Sequence, residues 1–298
     1  MGAYIKELLV GLIRIASIQY ELQDNWKGTK KEFVEKLAAF RSETDRYVNF
    51  LCPGYQRGIN QATGDTTGSL LPELLQNIND CRFSSSENKR SLLVSLNQQA
   101  QTMTLSYDEL GFQYADVYSI TAYGQSTKHD EREGEKGLGF KKVFTVFSQV
   151  DIYSNGFSFT LTKQKPTIPQ WIEQSPANQQ YMQTGKTTMV FKFAQPELTM
   201  QRINSIWADS VRESDSAGLL LGLRNISEFD YSTGTIHQHV TRDQLLSRFY
   251  FKELPLLGIY KQFHNTSCDI LQEVKKNLRT RTKCTVMSDA EFDSYLII

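Results

Sequence analysis

The sequence predicts an α/β fold, a two-layer sandwich in which a mostly antiparallel, mixed sheet carries helices on one face. Two observations predict it. Short β-patterned runs come in pairs joined by tight turns, and amphipathic helical runs lie between the pairs. Hydrophobic residues make up 40% of the 298, enough for one sizeable core. Lys plus Arg and Asp plus Glu both number 33, so no basic excess suggests a nucleic-acid partner.

At the N-terminus, KELLVGLIRIAS is an apolar run broken by Arg14, and no long uncharged stretch follows anywhere. Neither a cleaved signal nor a membrane span is expected, which points to an intracellular protein, cytoplasmic or nuclear. Residues 31–49 have helical spacing through Phe33, Val34, Leu37, Phe40, Tyr47 and Val48. The polar stretch GINQATGDTTGS reads as a loop. A short helix is predicted from Leu70 to Cys81, with Pro72 tolerated in its first turn. Residues 90–97 and 101–107 read as a hairpin, 113–122 as a short helix, and 124–136 as a charged loop. A helix is predicted over 137–147. Strands at 149–154 and 157–162 flank Asn155-Gly156, a pair that strongly favours a two-residue hairpin turn. Residues 187–193 read as a strand, 197–210 and 215–224 as helices, and 226–230 as one more strand. Beyond residue 240 the pattern weakens to helical-looking segments.

Cys52, Cys81, Cys268 and Cys284 form no CxxC pair and read as free thiols. His237 and His239 would share one face of a strand, but no further ligands stand near, so no metal is expected there.

Three groups of residues carry chemistry. In ELLQNIND, Glu73, Asn77 and Asp80 fall within a roughly 60° arc at 100° per residue, beside the apolar stripe of Leu74, Leu75, Ile78 and Cys81. Asn77 offers an oxygen to a hard cation such as Mg²⁺, and Glu73, one turn earlier, is placed to orient and deprotonate water. The same pattern also describes a plain amphipathic helix. The second group, Gly134-Glu-Lys-Gly137-Leu138-Gly139-Phe140, precedes the predicted helix, whose free N–H groups suit an anion. It is neither a P-loop nor a dinucleotide-binding turn, and a simple turn reads the same way. Thr187, the third, opens a strand where its hydroxyl could serve a phosphate or a base-bound water, although Thr is common in strands.

The order of these parts resembles the GHKL (Bergerat-fold) ATPases, the module of heat-shock-ninety chaperones and gyrase-type topoisomerases, and most nearly the sacsin and NO VEIN type. ELLQNIND, DELGFQYADV, GEKGLGFKKVF, YSNGFSFTL, IPQWIE and LLLGLRNI carry the resemblance, over about residues 65–235. It implies a GHKL ATP-binding domain over 65–240; the helical runs outside it read as an N-terminal helical extension over 1–64 packed on that domain and a C-terminal helical extension of unknown role over 241–298. By position, Glu73 resembles the catalytic base, Asn77 the Mg²⁺ ligand and Asp80 the acid closing the same helix face. Gly111 resembles the last glycine of the adenine-side loop. Gly134, Gly137 and Gly139, with Leu138 and Phe140, resemble the phosphate loop; Ser126 and Lys128 lie in the lid-like stretch, and Thr187 resembles the threonine near adenine.

The chain departs from the family at one place. The family's DxGxG aspartate falls on Tyr107, and Glu109 stands for its first glycine. Asp108 reaching the adenine through a backbone shift, and a loosened base recognition, are the two ways to accommodate this. The resemblance implies Mg²⁺-dependent ATP binding with slow hydrolysis, acting as a conformational switch or chaperone-like module. A protein partner or client is implied, with a homodimer as one option. The alternative is a pseudo-ATPase scaffold that binds nucleotide without hydrolysing it.

Overall fold

The computed structural model describes residues 2–24, 26–51, 67–83, 90–122, 140–195, 201, 203, 223, 225–234 and 237–242, without the side chains of 2–9, 12, 23, 24, 46–51, 67–69 and 71–73. Eight strands form one sheet: β1 (Ser91–Asn97), β2 (Thr102–Asp108), β3 (Phe147–Ser154), β4 (Phe157–Thr162), β5 (Lys165–Trp171), β6 (Lys186–Phe193), β7 (Glu228–Thr233) and β8 (His237–Thr241). Their spatial order is β5-β4-β3-β6-β2-β1-β7-β8. Every neighbouring pair is antiparallel except β1 with β7, so the sheet is mixed and mostly antiparallel as predicted.

Local chemistry sets the two hairpins. Asn155 and Gly156 both take positive φ, 45° and 73°, the combination a two-residue turn needs to match strand twist. In the β1–β2 turn Gln101 has φ 54° and the Asn97 side chain accepts from the Ala100 N–H at 2.9 Å. β6 then enters between the hairpins, pairing β2 on one side and β3 on the other.

Register makes the sheet two-faced. Val94, Leu105, Met189, Ile152 and Phe159 stand in one cross-strand row, and Leu96, Met103, Phe191, Val150 and Leu161 in another, all buried. The rows between are polar, among them Ser95, Thr104, Asp151 and Thr160. Side chains alternate along each strand, so only one face offers a large apolar surface for helices to cover.

The helix layer lies on that apolar face. α1 (Gly2–Asp24) packs on α2 (Lys30–Leu51), and α2 runs over β4 and β5. Thr29 and Glu32 close a capping box at the start of α2: the Glu32 carboxylate accepts from the Thr29 N–H at 2.8 Å, and the Thr29 hydroxyl accepts from the Glu32 N–H at 3.2 Å. The α2 stripe Phe33, Val34, Leu37 and Phe40 is buried, as its spacing predicts. Phe33 meets Tyr114 at 4.8 Å and Phe157 at 6.2 Å, ring centroid to centroid, locking α2 to α4 (Tyr114–Ile120) and β4. α3 (Thr67–Asn79) lies beside α5 (Val143–Val146).

Two expectations change. The helix predicted over 137–147 is, among described residues, a 3₁₀ turn at Phe140–Lys142 followed by α5, and β3 begins at Phe147. The Val/Phe run there is buried on all sides, which suits a short turn and a strand as well as a longer helix. β5, which contains Pro166 and Pro169, is a further strand; among the described residues it pairs only with β4, and an edge strand tolerates proline. The helices predicted over 197–210 and 215–224 and everything beyond 242 lie largely or wholly outside the described residues. No described helix is long and apolar enough to cross a membrane.

Candidate functional site

α3 carries the first group of chemical residues. Leu70, Leu74, Leu75 and Ile78 are buried, which turns Asn77 and Asp80 outward, where both are exposed. Glu73 lies one turn before Asn77 on the same helix; its side chain is outside the description. The helix end is held at several points. The Asp80 N–H donates to Gln76 O at 3.0 Å, and the Cys81 thiol to Asn77 O at 3.2 Å. Asn225 donates from its backbone to Asn79 Oδ1 at 3.1 Å and from its side chain to Asn79 O at 2.7 Å, so the strand pair beyond β1 ties down this end of α3.

Cys81 faces the ends of the central strands. Tyr107, Thr187 and Ser154 sit side by side across β2, β6 and β3, on the helix-covered face, and all are buried. The Thr187 and Ser154 hydroxyls are hydrogen-bonded to each other. Glu109, two residues beyond Tyr107, points to the same face; it is 7% exposed and its Oε1 has no hydrogen-bond partner. Burial pushes the Glu109 carboxyl up from the usual carboxylate range, while hydrogen bonding from Thr187 and Cys81 pulls the other way. Burial, with Cys81 and Glu109 close by, pushes the Tyr107 phenol well above its usual range, so it is a neutral hydroxyl. The result is a sunken polar patch of Tyr107, Glu109, Cys81, Thr187 and Ser154.

The loop bearing Glu109 is fastened on every side. Its N–H donates to Gly185 O at 3.1 Å and the Leu110 N–H to Arg82 O at 2.8 Å. Gly111 has φ 83°, and a Cβ there would lie 2.6 Å from the Cβ of Asn155, so glycine is required twice over. The Phe112 N–H donates to Ser154 Oγ, and Asn155 Nδ2 donates to Phe112 O, both at 2.9 Å. Arg82 pairs with Asp116, which caps α4 by accepting from the Gln113 N–H at 2.7 Å.

Asp108 takes the opposite face of β2. Its carboxylate accepts from the Ser91 N–H at 2.6 Å and the Ser91 hydroxyl at 2.7 Å, with Lys186 Nζ at 3.4 Å. The structure therefore brings together Thr187, Gly111 and the end of α3, and groups Glu109 rather than Asp108 with them. Phe140 is half-buried against the core. Ser126, Lys128, Gly134, Gly137, Leu138 and Gly139 lie outside the described residues. Of the expected thiols, Cys81 is not disulfide-bonded; the other three cysteines are undescribed. His239 Nδ1 lies 2.9 Å from Asp230 on the β7–β8 hairpin, far along the sheet order from this patch.

Sequence reasoning did not place Glu109 and Cys81 in this patch. The signal for Glu109 is a strand's period of two, which sets residue 109 on the face of residue 107 and its neighbour Asp108 on the other. Chemically, a buried carboxyl lacking one partner, beside two neutral hydroxyls, can receive a polar ligand edge. The exposed Asn77 carboxamide oxygen suits a hard cation.

No protein-family model matches the chain. Over 89 residues it is 36% identical to Protein NO VEIN of Arabidopsis thaliana, a stretch that covers 29% of this chain and 3% of that protein. It is similar to the ATPase region of Saccharomyces cerevisiae topoisomerase II bound to ICRF-187 (dexrazoxane), with a TM-score of 0.39 and 13% identity, covering 62% of this chain and 52% of that one. The ATPase and transducer domains of DNA topoisomerase II from Balamuthia mandrillaris give a TM-score of 0.38 and 12% identity, covering 60% of this chain and 50% of that one. The chain thus spans about half the length of the topoisomerase chains and a small fraction of the plant protein, and what its site does is to be read from its own residues.

Proposed function

We propose that the chain is a GHKL-type module that binds ATP with Mg²⁺ and hydrolyses it slowly, of the sacsin and NO VEIN kind. The observation that carries the reading is the meeting of α3, with Asn77 and Asp80 exposed along it, and the buried Glu109–Thr187 patch touched by Cys81 at its end. The motif order along the chain and the identity to the plant protein support it.

In this reading Glu109 and Thr187 meet the base. The Glu109 carboxyl, pushed up by burial and with one oxygen lacking a partner, stands beside the Thr187 hydroxyl, and together they offer polar groups to the edge of a base such as adenine, whose amino group can donate to a carboxyl oxygen. Asp108, expected at the base from the sequence, has its carboxylate engaged by Ser91 and Lys186 on the other face. Asn77 holds the cation, Asp80 supports the same helix edge, and Gly134, Gly137, Leu138, Gly139 and Phe140, with Ser126 and Lys128, serve the phosphates. ATP supplies the reacting phosphoryl group and Mg²⁺ the neutralisation of its charge. Glu73 orients the attacking water and takes its proton. Nucleotide state would then be passed to a protein partner, a client or a second copy.

A non-hydrolysing scaffold is the second reading. Tyr107, buried where the family carries an acid, favours it. Calorimetry of ATP binding with and without Mg²⁺, on wild type and Asn77→Ala, tests the first reading. The expected result is Mg²⁺-dependent binding that the variant loses; wild type that binds no ATP in either condition refutes it.

A further inference from the structure

A second buried polar cluster lies beneath α4, outside the residues given a role above. α4 has seven residues, too few to hold a helix alone, so its place is set by what it touches. Two of its last carbonyls, those of Tyr118 and Ile120, accept from two buried cations that come from different parts of the chain, and Tyr118 O accepts the Thr121 hydroxyl as well. Arg41 of α2, 7% exposed, donates from its guanidinium to Tyr118 O at 2.8 Å and stacks 4.3 Å from the Tyr118 ring centroid. Arg41 Nε also reaches the Thr121 hydroxyl at 3.4 Å. Lys141, 5% exposed, donates from Nζ to Ile120 O and to Pro166 O of β5, the latter at 2.6 Å.

The cations sit at a junction. The N-terminal end of α4 continues directly from the loop of Glu109 and Gly111, and Lys141 follows Phe140, where the glycine run ends. One ammonium therefore ties residue 120 to residue 141 and to β5, and one guanidinium ties residues 118 and 121 to α2. We propose that Arg41 and Lys141 are positioning residues for the nucleotide site: they fix the C-terminal end of α4, and through it the base-side loop and Phe140, so that α2 sets how tightly the site holds its ligand. The proposal rests on the nucleotide reading above.

A merely structural need does not account for the pair. Burying two cations costs desolvation, and apolar residues of like volume commonly replace buried charges at no loss of stability or with a gain. Two charge-assisted bonds to the final turn of one helix instead fix its orientation, because each loses strength steeply with misalignment. The charged and titratable groups facing Lys141 are Arg41 and Asp45, both of α2; Tyr118 faces Arg41. Asp45 itself accepts from the Thr167 hydroxyl of β5 at 2.6 Å. Burial, with Arg41 adding and Asp45 opposing, lowers the Lys141 ammonium to about 7.

The test compares wild type, Lys141→Met and Arg41→Lys in the full chain by thermal unfolding, ATP calorimetry and amide exchange. Lys141→Met should unfold at the same or a higher temperature, yet bind ATP about tenfold more weakly, the scale of one charge-assisted bond. Wild-type affinity should fall as pH rises through about 7, where the ammonium is lost, and the variant's should not. Arg41→Lys, which keeps the charge and lacks the planar fork, should bind between the two. An unchanged affinity and pH profile in a folded Lys141→Met overturns the proposal. Should wild type itself bind no ATP, the nucleotide reading fails separately; exchange at residues 114–121 then decides, and no acceleration in Lys141→Met overturns the positioning role.

Discussion

Glu109 is the residue whose protonation is easiest to read out. Its carboxyl is raised by burial, so the folded state holds the proton more tightly than the unfolded chain does. That contribution is fully present below the unfolded carboxylate range and is lost as pH rises through the raised folded value. Glu109→Gln cannot ionise. Its stability should match wild type below the usual carboxylate range and exceed it above the raised folded value, measured by thermal unfolding across pH. In ATP binding Glu109→Gln, which keeps a donor and an acceptor, should resemble wild type, while Glu109→Ala should lose about 1–3 kcal/mol. Glu73→Ala should abolish turnover and spare binding; equal loss of both would remove its role as base. These residues were unequally legible. Asn77 and Asp80 follow from helical spacing that any observer can count. Glu109 was hidden because its neighbour Asp108 looked like the acid that the pattern lacked, and only strand register decides which of two adjacent acids faces inward. Lys141 had no sequence signal, since lysine burial depends on what other segments bring.

At the scale of elements, the loop from Glu109 to Gln113 is the most constrained piece. Gly111→Ala would put a Cβ against Asn155 at a positive φ, and a cost of about 1–3 kcal/mol is expected in chemical denaturation. The α2 anchor is larger: Phe33→Ala should cost about 3–5 kcal/mol, because its ring joins α2, α4 and β4 at once. Hairpins were the most readable elements, since Asn155-Gly156 specifies its turn almost unaided. The body of α2 was readable in its apolar spacing, whereas its start, the Thr29–Glu32 capping box, came from the structure. β5 was not readable because its prolines argue against a strand until one knows that it lies at an edge, and edge position is a property of the sheet. The short turn and strand within 137–147 were lost to an ambiguity of apolar runs, whose period is uninformative when every side is buried.

Over the whole molecule, protection should follow position in the sheet. Amide exchange is expected to be slowest in β2, β6 and β3, each paired on both sides in the middle of the order, and faster in the edge strands β5 and β8. Uniform protection across all eight strands would contradict a single cooperative sheet graded from centre to edge. The one parallel pairing has a consequence for the order in which the protein can be made. β1 is made before its second partner, β7, which lies some hundred and thirty residues later, and the Asn225–Asn79 bonds that moor α3 arrive with it. Until then a nascent chain carries β1 as an open hydrogen-bonding edge and α3 with a loose end. A message cut short just before the codon for Asn225 would yield a chain bearing every motif of the site, yet sticky at one flank and unmoored where Asn77 stands.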